Sequence, residues 1–281
     1  MRGWWRDLTD LVLPAECEGC GEPRTVLCDE CRGALCGSVP CRVRPDPEPG
    51  GLPAVYAAAP YEDAVRAMLL AHKERGALGL AAPLGSALAG AVCAVLRAET
   101  RVSGDMGART WVGGTQDGPQ GRVMPLSLVP VPSAWAAVRA RGHDPVRRIA
   151  LAAAGELRRA GIPARVLAVL RQRRAVADQS GLDSRHRQAN LSGALEVTAG
   201  GGRLLAQGGR VVVVDDLMTT GASLAEAARA LRAVRTEGNA GAKALREPGT
   251  GVVRRPELGC ENTVRAAVVA ASPHSFEINR N

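Results

Sequence analysis

Residues 209–216 read GRVVVVDD, and the chain continues LMTTGAS. Four valines lead straight into two adjacent acids, Asp215 and Asp216. An apolar run that does not alternate with polar residues must be covered on both faces, which for a strand means a parallel sheet packed between helices. Adjacent carboxylates at the mouth of such a strand repel each other and lose hydration, so packing alone does not account for them. Open parallel sheets bind ligands at the carboxyl ends of their strands, the edge at which both acids are expected. The TTGAS that follows turns into a helix, whose first N–H groups and dipole favour a phosphate. Gly221 lets the backbone approach closely, and Thr219, Thr220 and Ser223 add hydroxyls. A phosphorylated sugar fits this stretch, with its phosphate on Thr219, Thr220, Gly221, Ala222 and Ser223 and its vicinal hydroxyls donating to Asp215 and Asp216. The motif is not a P-loop, because no G-x4-G-K-[ST] is present, and it lacks the G-x-G-x-x-G of a dinucleotide fold.

The rest of the pattern agrees with an α/β chain. Strands are expected over 53–59, 126–132, 164–170, 209–216 and 264–272, with a short one near 194–197. Helices are expected over 61–72, 78–99, 144–160 and 224–234. Strands separated by helices imply a parallel sheet flanked by helices. The Gly-rich segments 100–125 and 236–262 have no periodicity and read as flexible insertions. At 281 residues with only 2% aromatics, the core must be built from Ala, Val and Leu. Few rings also weaken any function that depends on stacking bases. The start, MRGWWRDLTDLVLP, interrupts the apolar region a signal peptide needs. The apolar residues 78–96 contain Gly and Pro, as in a packed helix and not a membrane span. A cytoplasmic protein is expected.

The net charge is +8. Residues 139–187 hold twelve Arg against Asp144, Glu156, Asp178 and Asp183, so this segment alone carries 12 − 4 = +8. Only Lys73 and Lys243 among the 36 basic residues are lysines. A local basic field suits phosphate-bearing small molecules or nucleic acid.

Six of the eight cysteines fall within residues 17–41. Cys17, Cys20, Cys28 and Cys31 form C-x2-C-x7-C-x2-C, in which two pairs aim four thiolates at one point and complete a tetrahedral Zn2+ shell. Gly21 permits the positive φ of a knuckle turn. All four positions would be filled by protein, so the metal folds the segment and does no chemistry. Cys36 and Cys41 are either remnants of a second knuckle or free thiols. The Pro/Gly-rich RVRPDPEPGGLP marks a boundary near residue 50, dividing a Cys-rich segment (1–50) from the main domain (51–281).

VVVVDDLMTTGAS resembles the phosphoribosyl pyrophosphate (PRPP) motif of type I phosphoribosyltransferases. PAECEGCG…LCDEC resembles the N-terminal zinc ribbon of the ComF/GntX family, the competence-protein branch of that fold. YEDAVRAMLLAHKERG, VPVPSAWAAVRARGHDPVRRIA and DQSGLDSRHRQANLSGALEV are similar to further segments of the family, in family order. His143-Asp144 stand where the family's RGFN-like turn has an aromatic residue and Asn. The resemblance implies a type I phosphoribosyltransferase-like sheet with a small zinc ribbon. It implies that Asp215 and Asp216 hold the ribose hydroxyls and that Thr219, Thr220, Gly221, Ala222 and Ser223 hold the 5′-phosphate. Pro132, Ser133 and Arg139 would face the pyrophosphate, with Mg2+ bridging ligand oxygens. Arg171, Arg173 and Arg174 would precede a mobile loop. The implied partners are PRPP and a nucleobase acceptor for pentosyl transfer. In a non-catalytic alternative they are DNA, met by the Arg-rich segment and zinc ribbon, and competence-machinery proteins.

Overall fold

The apolar runs do become strands. The computed structural model describes residues 16–102, 125–174, 191–206, 209–244 and 264–277. Its strands are β1 (Cys41–Val43), β2 (Val55–Pro60), β3 (Leu126–Pro130), β4 (Ala164–Val166), β5 (Leu170–Gln172), β6 (Leu195–Val197), β7 (Val211–Met218) and β8 (Arg265–Ala271). Six of them form one sheet in the order β1-β2-β8-β7-β3-β4, while β5 and β6 pair separately. All neighbours in the large sheet are parallel except β1, which runs antiparallel to β2.

The valines of β7 divide between two cores. Val212 and Val214 join the buried cluster that contains Leu128, Leu84, Leu88, Ile149 and Ala153. Val211 and Val213 join the other, with Val129, Leu224, Ala228 and Leu231. The first cluster belongs to α1 (Asp29–Cys36), α2 (Asp63–Glu74), α3 (Ala81–Val102) and, beyond the seven-residue α4 (Trp135–Arg141), α5 (Pro145–Arg159). The second belongs mainly to α7 (Ala222–Ala244), which follows the short α6 (Gly201–Ala206) and precedes α8 (His274–Glu277). Both faces of the sheet are thus covered, as the unbroken apolar run requires. A fully buried Val contributes about 1.5–3 kcal/mol, so the centre of β7 is a principal anchor of the fold.

Four boundaries differ from the sequence expectation. The expected strand 164–170 is two strands, because β4 pairs with β3 whereas β5 pairs antiparallel with β6. Residues 133–143, expected as loop, contain α4, ended by Gly142 at φ 75° with its N–H on the Val138 carbonyl. Strand β7 runs two residues past the acids, because β8 continues beside it and pairs Leu217 with Ala270 and Met218 with Ala271. The insertion expected over 236–262 opens as helix, since α7 reaches Ala244. Residues 103–124 and 245–262 of the expected insertions lie outside the described residues.

The Cys-rich segment packs on this frame. Cys17, Leu27, Cys31 and Leu35 are buried in the same cluster as Met68, Leu69 and Leu84, and Arg75 reaches Glu18 at 2.8 Å. Among the described residues one helix, within Leu78–Thr100, is long and apolar enough to cross a membrane, and 61% of its span is buried against the rest of the chain. That burial is the pattern of a core helix.

Candidate functional site

Strand order locates a switch point. The chain leaves β3 through α4 and α5 toward β4, and leaves β7 through α7 toward β8, so the connections part between neighbours β3 and β7. Ligands of open α/β sheets bind at such a switch point, outside the carboxyl ends of the strands. β3 stops pairing at Pro130, opposite Val214, and the last bond across is from Val131 N–H to the Val214 carbonyl, 2.9 Å. Asp215 and Asp216 follow at once, inside β7 but past the end of β3. Pro132 and Ser133, half-buried, continue the β3 side.

The two acids are differently placed. Asp215 is 8% exposed and Asp216 4%. Asp215 Oδ1 accepts from the Asp216 N–H at 2.9 Å. Burial, and then the neighbouring Asp216 charge, pushes the Asp215 carboxyl well above its ordinary range. Asp216 instead has an ionic partner: Lys73 Nζ lies 2.9 Å from its Oδ2. Burial works against the Lys73 charge, but Asp216 and then Asp215 outweigh it and raise the ammonium above its ordinary value. Lys73 sits in the last turn of α2, where a cation also suits the helix dipole.

The turn after β7 has the expected form. Gly221 adopts φ 74°, so the position favours glycine for its backbone, and a Cβ there would meet the end of the Leu52 side chain at 3.0 Å and push it aside by a few tenths of an ångström. Thr220 Oγ1 accepts from the Ala222 N–H at 3.5 Å, and Gly221 O takes the first helical bond, from Ala225 N–H. Thr219 is exposed and Thr220 and Ser223 are half-buried, whereas Gly221 and Ala222 are buried. The acid pair and the start of α7 are therefore separated by only five residues of chain, Leu217 through Gly221.

The Arg-rich ribbon is bolted beside this turn. Arg171 and Glu196 face each other across β5 and β6 and are bonded at 2.8 Å, Arg173 is 3.9 Å from the same carboxylate, and Arg174 reaches the Ser192 carbonyl. Glu226, one turn into α7 and buried, accepts from the Leu195 N–H at 3.0 Å and holds Arg229 through both carboxylate oxygens. Burial opposes the Glu226 charge, but Arg229 and the backbone donors hold it below its usual range. Leu191, Ala194 and Ala222 form a small apolar cluster at the helix start. Residues 175–190, including Arg185 and Arg187, lie outside the described residues.

On the β3 side, Arg139 does not contact the acids. Its guanidinium stacks 4.6 Å from the Trp135 ring, and α4 has no buried residue. Its far end is pinned by Arg141, which forms two 3.0 Å bonds to Glu74. His143 and Asp144, which follow α4, also have assigned contacts. Asp144 caps α5, its Oδ1 accepting from the Arg147 N–H at 3.1 Å, a task Asp and Asn perform about equally. His143 places its two ring nitrogens 3.2 Å from the Arg141 and His72 carbonyls.

The four cysteines converge. Sγ atoms of Cys17, Cys20, Cys28 and Cys31 lie within 4.8 Å of one another, with Cys17–Cys28 and Cys20–Cys28 at 3.6 Å. A tetrahedral thiolate shell around Zn2+ places sulfurs about 3.8 Å apart, from a Zn–S bond of about 2.3 Å, so the residues can hold one metal ion and suit structural zinc. The first pair forms a knuckle with Gly21 at φ 81°. The second pair is not in a matching turn: Cys28 is the N-cap of α1, and its sulfur accepts from the Cys31 N–H. Burial opposes ionisation of Cys17, but N–H groups of Cys28, Cys20 and Gly19 lower it to about 6. Burial and the three other thiols push Cys31 up. Cys36 and Cys41 lie outside this group and are free thiols.

No protein-family model matches the chain, and no curated protein matches it. The function must therefore be argued from the site. Lys73 is the residue that motif analysis did not assign. It lies 143 positions from Asp216, and it is a lysine in a chain whose basic residues are almost all arginine.

Proposed function

We propose that this chain binds a ribose phosphate, PRPP with Mg2+, in the manner of the ComF/GntX branch of type I phosphoribosyltransferases. The observation that carries this is the acid pair at the β3–β7 switch point, followed within five residues by the α7 turn. Asp215 and Asp216 accept from the ribose diol, while backbone and hydroxyl donors of Thr219, Thr220, Gly221, Ala222 and Ser223 take the 5′-phosphate. Pro132 and Ser133 border the pyrophosphate. Mg2+, a hard cation that prefers oxygen ligands, accompanies the pyrophosphate and neutralises its charge. In transfer, the bond from the anomeric carbon to pyrophosphate breaks and the pyrophosphate keeps the electron pair. The lone pair of an acceptor nucleobase nitrogen then forms the new bond, and the proton that nitrogen carried leaves to solvent. The positive charge that builds on the sugar ring in between is stabilised by nearby carboxylate. The Cys17, Cys20, Cys28 and Cys31 shell holds structural Zn2+.

Titration calorimetry of PRPP with Mg2+ against the wild type and an Asp215→Asn/Asp216→Asn variant tests this. Saturable binding lost in the variant supports it, and absence of wild-type binding overturns it. Pyrophosphate release with a panel of bases then separates an enzyme from a binding protein.

A second reading draws on exposed residues of α4 and α5. Trp135 is 69% exposed, Arg139 lies over it, and Arg147 and Arg148 are exposed on the following helix. Aromatic and basic groups in such an arrangement bind single-stranded nucleic acid without sequence preference. DNA affinity that falls steeply with added salt supports this; affinity unchanged by salt contradicts it.

A further inference from the structure

We propose that Lys73 determines what the acid pair can hold: its ammonium, salt-bridged to Asp216, keeps bare divalent cations off the pair and leaves it open to the hydroxyls of an anionic sugar. This rests on reading the pair as a ligand site. Two adjacent carboxylates with nothing beside them attract Mg2+ or Mn2+, the hard cations that oxygen ligands favour. Here a positive charge stands 2.9 Å from Asp216 Oδ2, so a second cation at that oxygen meets both repulsion and a filled position. The same ammonium offsets acid charge that would otherwise repel the phosphates of an incoming sugar.

The placement of Lys73 is built. Its side chain is 35% exposed, against 6% for that of Asp216. The residues on either side are fixed. His72 is 1% exposed and its Nδ1 lies 3.2 Å from the Ala77 carbonyl, while the His72 carbonyl lies 3.2 Å from His143 Nε2. Glu74 is held by the two bonds from Arg141. The last turn of α2 is thereby tied to the α4–α5 connection on the β3 side of the switch point. Residue choice agrees. In a chain with 36 basic residues, of which Lys73 and Lys243 alone are lysines, a compact ammonium stands where a planar guanidinium would spread across both acids.

The test uses the zinc-loaded full chain, with Mn2+ alone and ribose 5-phosphate alone as probes in separate titrations. Lys73→Met is expected to bind Mn2+ at least tenfold more tightly than wild type, an affinity that disappears when Asp216→Asn is added. Lys73→Arg, which keeps the charge, is expected to exclude Mn2+ as wild type does. Ribose 5-phosphate is expected to bind Lys73→Met at least tenfold more weakly. Equal Mn2+ affinity in wild type and Lys73→Met, or tight Mn2+ binding that survives Asp216→Asn, would overturn the proposal. If wild type takes no ribose 5-phosphate, the sugar-phosphate reading fails, while the Mn2+ titrations still decide the role of Lys73.

Discussion

At the scale of single residues, the two acids differ in environment. Asp215 is buried next to another carboxylate, and its raised proton affinity has a measurable cost. A carboxyl with a raised folded-state value binds more protons folded than unfolded, so its contribution to stability falls as pH rises through that value. Wild type is therefore expected to lose stability as pH climbs from the ordinary value of 3.8 toward the raised one. Asp215→Asn, which cannot ionise, is expected to gain relative to wild type over that window. Urea midpoints of both proteins at a series of pH values check this, and parallel curves would contradict it. The acids themselves are legible in eight letters of sequence, as adjacent carboxylates at the end of an apolar strand. Lys73 is not legible in the same way. It meets Asp216 only because α2 and β7 are brought together by a fold that no local pattern spells out.

At the scale of elements, the turns and caps are set by chemistry that sequence does show. Gly221 combines φ 74° with a Cβ position that would meet Leu52, so Gly221→Ala is expected to cost about 1–3 kcal/mol for a non-glycine residue held in the left-handed region. It should also weaken ribose 5-phosphate binding, because the shifted turn moves its donors; unchanged stability and affinity would contradict this. Asp144 caps α5, so Asp144→Ala is expected to cost about 1 kcal/mol, and Asp144→Asn much less. Thermal melts of the pair distinguish a capping role from a specific demand for aspartate. Other element boundaries were beyond sequence reach. The run ARVLAVL is apolar throughout after Arg165, yet its two ends serve two different sheets, and periodicity alone carries no sign of the break. α4 has no buried face to produce a pattern. The continuation of β7 to Met218 depends on β8 beside it, not on β7's own residues.

At the scale of the molecule, the cysteine cluster and the sheet share one core. Cys17, Cys31 and Leu35 are buried with Met68, Leu84 and Leu88, and β1, from the same N-terminal region, pairs with β2. Structural Zn2+ binding is worth about 10–16 kcal/mol in small zinc-finger peptides, more than the roughly 2–5 kcal/mol lost on truncating a buried Leu. Stripping the metal with a strong chelator is therefore expected to lower the melting temperature of the whole chain in one cooperative transition. An early, separate transition that leaves the main melt unmoved would contradict a shared core. The C-x2-C spacing made the cysteine cluster readable. It did not show that the second pair caps a helix, because identical spacing serves a turn and a helical first turn alike.

The central claim is that the switch point between β3 and β7 holds a ribose phosphate on Asp215 and Asp216. The most direct measurement is calorimetric titration of PRPP with Mg2+ into wild type and into Asp215→Asn/Asp216→Asn. Saturable binding to wild type that is lost in a folded double variant is the predicted result. Equal binding by both proteins, or none by wild type, would contradict the account.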